Sequence, residues 1–139
     1  MSMESSTETP SILSRSLIGL AASVLAAVPL AIVFSLHGFV TSTAQDSAIG
    51  IFLGTAAVVI GALIVSAASG LVFGIPAYLL AVRTNAPRVV VLVVVAALAG
   101  VLVREWWLDG VGSALLFAFF GAYSGAAFWY GADVWSRAP

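Results

Sequence analysis

From residue 48 to residue 82 the chain runs for roughly 35 residues without one charged side chain, between Asp46 and Arg83. As a helix rising about 1.5 Å per residue, such a run is about 52 Å long, against a hydrocarbon core of about 30 Å. A straight perpendicular span is therefore too short a description, and the run must tilt, bend or leave the bilayer. The sequence Gly70-Leu71-Val72-Phe73-Gly74-Ile75-Pro76-Ala77-Tyr78 supplies the place. Pro76 has no N–H to give the carbonyl of Val72, so a kink or break is expected there.

The rest of the chain has the same character. It is 62% hydrophobic and 8% charged, where a soluble domain carries roughly 25% charged residues. Its 139 residues suffice for one compact membrane unit. Cysteine and lysine are both absent, which excludes disulfides, thiolate metal sites and cysteine nucleophiles. A net charge of -1 offers no basic face for nucleic acid.

Residues 1–15 are rich in Ser, Thr and Glu and are expected to form a disordered polar tail. Residues 16–136 then form a single four-span transmembrane domain, with spans at about 17–38, 48–82, 88–108 and 111–132. The first holds Pro29, which should bend its second half. An alternative is a secretory signal cleaved after Ser42-Thr43-Ala44, but the apolar stretch exceeds the usual 7–15 residues. Arg83-Thr84-Asn85-Ala86-Pro87-Arg88 carries strong helix-stop and turn chemistry. The valine-rich start of the third span could suggest a strand, yet a lone strand in lipid leaves its backbone unpaired.

The expected fold is thus all-α, an integral membrane four-helix bundle whose second span is long and kinked near Gly74 and Pro76. Arginine placement orients it: Arg15, Arg83, Arg88 and Arg137 fall at one end and Arg104 at the other, which puts both termini in the cytoplasm. Trp106 and Trp107 would mark the outer interface, and Tyr78, Trp129, Tyr130 and Trp135 the inner one.

In lipid, helices associate through close backbone approach at small residues. Each span has a row of them. The first has Gly19, Ser23, Ala27, Ala31 and Ser35. The second has Gly50 and Gly54, then Ala62, Ser66, Gly70 and Gly74. The third has Ala96 and Gly100, and the fourth Gly121 and Gly125 among alanines. A likeness between residues 69–73 and 124–128 raises the possibility of two related hairpins, against chance matching in so biased a composition.

Chemistry-bearing residues are few. His37 is the single histidine, so a haem held by two histidines is impossible within one chain, and no spacing supplies a zinc site. Arg104, Glu105 and Asp109, beside Trp106 and Trp107, form the one dense charged cluster. It could bind a headgroup or partner or guard a pore mouth, or be an interfacial anchor. The segment from Gly70 to Tyr78 could be a broken helix offering carbonyls to an ion, or a packing kink that accommodates an overlong span. No catalytic set is evident, and neither a metal nor a cofactor is expected.

Gly74-Ile75-Pro76-Ala77-Tyr78-Leu79-Leu80 followed shortly by an arginine, then two alanine- and glycine-rich spans ending in Phe128-Trp129, resembles a loose class of small four-span bacterial inner-membrane proteins of unknown function. The resemblance covers roughly the second half of the chain and implies that membrane. The function expected is non-enzymatic: an accessory, assembly or immunity-type subunit that packs in the bilayer against a membrane-protein partner. The alternative is self-association into a channel for a small solute or ion.

Overall fold

A computed structural model describes residues 11–41, 48–107 and 112–137. Among these residues all regular structure is helical: α1 (Ile12–Thr41), α2 (Ala48–Ser69), α3 (Ile75–Arg83), α4 (Arg88–Trp107) and α5 (Ala114–Trp129). A π-turn at Gly70–Gly74 joins α2 to α3, and α5 continues through a second π-turn, Tyr130–Val134, into a 3-10 turn, Trp135–Arg137. Among the described residues four stretches are long and apolar enough to cross a membrane: Ile12–His37, Ala48–Arg83, Arg88–Trp106 and Ala114–Arg137. The chain is an all-α four-helix bundle and a multi-pass membrane protein.

α1 begins at Ile12, so residues 12–15 of the expected tail are helical. Ser11 is the reason. Its hydroxyl accepts the N–H of Ser14 at 3.2 Å, one of the donors that a helix start leaves open, and its carbonyl accepts that of Arg15 at 3.0 Å, the first intrahelical bond. Residues 1–10, and the cleavage site considered at 42–44, lie outside the described residues.

The second span is one helical run of 36 residues. Ser69, Gly74 and Ile75 all keep right-handed helical angles, and the Ile75 N–H reaches back five residues to the Gly70 carbonyl. The expected kink or break is therefore a widened turn just before Pro76. A proline ring crowds the carbonyl four residues earlier and cannot donate to it. Widening the turn removes that conflict, and Pro76 sits in the first turn of α3, where its N–H is not needed. α3 ends as its sequence suggests. Asn85 adopts φ 54, and the N–H groups of Asn85 and Ala86 bond Val82 and Ala81 at 3.4 and 3.0 Å. This is a Schellman stop, and Pro87 prevents continuation.

The small-residue rows set how the spans meet. Gly19, Ser23, Ala31 and Ser35 all lie on the buried side of α1. α4 and α5 make the closest pair: a Cβ added at Gly121 would lie 2.0 Å from the Ala96 carbonyl oxygen, and one at Gly125 2.5 Å from that of Leu92. α1 and α2 are joined by hydroxyls, Ser66 to the Ser23 carbonyl at 3.2 Å and Ser35 to Thr55 at 3.1 Å. Leu20 of α1 fills the space over Gly70, and the Phe128 ring lies against Gly74. The buried core, Ala77, Tyr78, Leu92, Phe128 and Ala132, sits toward the arginine-rich end. α2 contributes no buried residue. The two π-turns also fall out of register with the residues 69–73 and 124–128, because the second begins at Tyr130, which speaks against related hairpins.

Candidate functional site

The fourth span does not stop at residue 132. It widens into the π-turn and carries Asp133 into the bundle, where the carboxylate side chain is only 8% exposed. A buried carboxylate needs partners, and three spans provide them. One oxygen, Asp133 Oδ1, accepts the Tyr78 hydroxyl at 3.2 Å, Arg88 Nη1 at 2.8 Å and Arg137 Nη2 at 3.2 Å. Arg15, from the first turns of α1, lies beside the Tyr78 hydroxyl. Three spans are thus tied at one polar centre, and the first reaches it with Arg15. Two guanidinium groups pair with one carboxylate and a third lies beside Tyr78, a formal excess of two positive charges.

Tyr78 was expected as an aromatic at the inner interface; it is fully buried instead. Its ring packs against Phe128 with centroids 6.0 Å apart, and its hydroxyl is the polar tip that makes this burial tolerable. Trp129 is half-buried against the core, whereas Tyr130 and Trp135 are exposed. Asp133 is the residue that the sequence reading missed. The available signal was its spacing of four from Arg137, the separation at which helical side chains meet.

The cluster singled out at the opposite end is looser. Arg104 pairs with its neighbour Glu105 and donates from Nε to the Gly112 carbonyl at 2.8 Å, so it braces the connection between α4 and α5. Glu105 is half exposed and Trp106 is almost fully exposed, at 83%. Asp109 and the side chain of Trp107 lie outside the described residues. Among the described residues no three His, Asp or Glu side chains gather where they could hold a metal.

Between these ends the bundle is open on one side. α2 packs on α1 and diverges from α4 and α5, leaving a cleft of about 440 Å³. Ala62, Val65 and Ser69 line one wall, and Ala99, Phe120 and Ser124 the other. Phe34 and Phe120 meet edge to face at 5.8 Å beside it. Gly61 also faces this cleft, and a Cβ there would meet nothing within 4 Å. The volume is about three times that of the ~150 Å³ engineered apolar cavity that stays dry and takes up benzene, so the cleft suits an apolar occupant.

Compared with known proteins, the chain matches no family model, no curated protein and no solved structure.

Proposed function

We propose that the protein is a non-enzymatic multi-pass subunit, an accessory, assembly or immunity-type factor, whose open side receives a transmembrane helix of another membrane protein. The observation that supports this is the condition of α2. It is a 22-residue apolar helix with no buried residue, and Gly61 looks into open space. Lipid tails are as apolar as leucine, so a glycine on such a face matters mainly for the close approach of another backbone. α4 and α5 have used their glycines on each other; α2 retains one for a partner. The apolar lining of the cleft, with Leu92 and Phe128 at its arginine-rich end, favours packing over conduction.

We place the protein in the bacterial inner membrane with both termini cytoplasmic. Support comes from Arg15, Arg83, Arg88 and Arg137 at one end against Arg104 at the other, and from the resemblance to small four-span inner-membrane proteins. Gentle extraction from the native membrane, followed by native mass spectrometry, tests the reading. A second polypeptide in fixed ratio is expected, and Gly61→Leu should release it while leaving helicity intact. A preparation holding only copies of this chain would sink the subunit reading and bring forward the homo-oligomeric channel, to be examined by solute flux in liposomes.

A further inference from the structure

The arginines around Asp133 exceed what that carboxylate can use. A guanidinium carries five N–H donors and a carboxylate about four acceptor sites. Yet Arg88 and Arg137 converge with Tyr78 on the single oxygen Oδ1. One donor is stranded, because Arg15 Nε is buried with no hydrogen-bond partner among the described residues. A donor in that condition on a charged group is costly. The cluster is reachable from the membrane surface, since the side chains of Arg88 and Arg137 are 30% and 53% exposed. α1 and α4 start at this end while α3 and the fourth span finish there, so the helix dipoles offset one another. The arginines then set the sign of the field.

We propose that this end of the bundle binds a phosphate-bearing anion, gripped by Arg15 and Arg137, with Asp133 holding Arg88 and Arg137 in position. Phosphate fits better than a second carboxylate for two reasons. Its several oxygens can take guanidinium forks from different directions. The site also lies at the ends of the spans, beside exposed Tyr130 and Trp135, the level at which aromatic belts meet headgroups. A phospholipid headgroup and a soluble phosphate share this chemistry.

Native mass spectrometry of the full chain in detergent separates the two sources. The probes are dioleoyl phosphatidic acid, dioleoylglycerol, which lacks the phosphate, and inorganic phosphate. One phosphatidic acid per chain is expected, with affinity lowered about tenfold by Arg15→Gln or by Arg137→Gln, as loss of a charge-assisted hydrogen bond implies. Arg15→Lys keeps the charge without the fork and should fall between. Arg83→Gln, which removes an exposed arginine at the same end but outside the cluster, should leave binding unchanged. If inorganic phosphate displaces the lipid through the same arginines, the natural ligand is a soluble phosphate; if it does not, the headgroup is. Dioleoylglycerol bound as well as phosphatidic acid, or Arg83→Gln as damaging as Arg15→Gln, overturns the proposal. Unchanged helicity and particle size in each variant exclude misfolding as the cause of a loss.

Discussion

Replacing Gly121 by alanine isolates the packing of α4 on α5. The new Cβ would lie 2.0 Å from the Ala96 carbonyl oxygen, 2.7 Å from its carbon and 3.0 Å from Ala97 Cα. All three are backbone atoms, so no rotamer change relieves the contact. An ordinary contact begins at 3.4 Å, and the helices must part by roughly 1 Å or more. Gly100 and Gly125 belong to the same seam, against the carbonyls of Phe117 and Leu92, and their contacts lengthen with it. A radial gap of about 0.5–1 Å forfeits a quarter to a half of each dispersion well, and overpacking costs about 1–3 kcal/mol. Alanine's better helix propensity returns up to about 1 kcal/mol, leaving a net loss of up to about 2 kcal/mol. Gly61→Ala keeps that propensity gain and meets no atom, so it should be neutral or slightly stabilising. Unfolding by sodium dodecyl sulfate in mixed micelles, followed by circular dichroism, measures both. If Gly121→Ala proves as stable as Gly61→Ala, the close seam between α4 and α5 does not exist as described.

Asp133→Asn should cost about 2 kcal/mol in the same titration, below the 3–5 kcal/mol of a fully buried pair because Arg88 and Arg137 are partly exposed; Tyr78→Phe should cost about 1 kcal/mol. The reverse order would mean that the carboxylate is not the centre of the cluster. Because the chain has no cysteine, a single cysteine at Thr84 should react with an impermeant maleimide only from the cytoplasmic side, and one at Ser113 only from the opposite side; the converse pattern inverts the topology. Deleting Val72 should turn the widened turn into ordinary α-helix and leave Pro76 clashing with a carbonyl, at about 3 kcal/mol. Adding Pro76→Ala to that deletion should restore most of the loss, and failure to do so would separate the π-turn from the proline.

Much of the scaffold was legible because lipid leaves few choices. Long apolar runs in a hydrocarbon solvent must be helices, and the stop at Asn85-Ala86-Pro87 is written in residues that tolerate a left-handed turn and then forbid continuation. The small residues that make the seam between α4 and α5 were also visible as rows in their spans, Ala96 and Gly100 in one and Gly121 and Gly125 in the other, although not which rows would meet. The open side of α2 was not. Its glycines and alanines resemble those of the other spans, and nothing local distinguishes a small residue in a seam from one beside an empty cleft.

The polar cluster was missed for a reason of phase. Reading a helix from sequence assumes 3.6 residues per turn, and each π-turn holds one residue more, which shifts everything beyond it by about 100°. Tyr78 follows the turn at Gly70–Gly74, and Asp133 lies inside the one at Tyr130–Val134. A regular helix extrapolated through either turn assigns these two side chains to the wrong face. A tyrosine near a span end then looks like a headgroup anchor, and an aspartate just past the last apolar residue looks like the start of the solvent. In the folded chain the two phase shifts bring both side chains inward to within 3.2 Å of each other. The glycines at both ends of the first turn and Pro76 just after it are the local trace of that shift in the second span. The Tyr130-Gly131-Ala132 segment that opens the second turn has no proline to announce it, and Gly131 is instead held by contact with Ile18 and Ala22 of α1. The first phase shift is therefore encoded beside the turn, whereas the second is imposed by packing from the far end of the sequence.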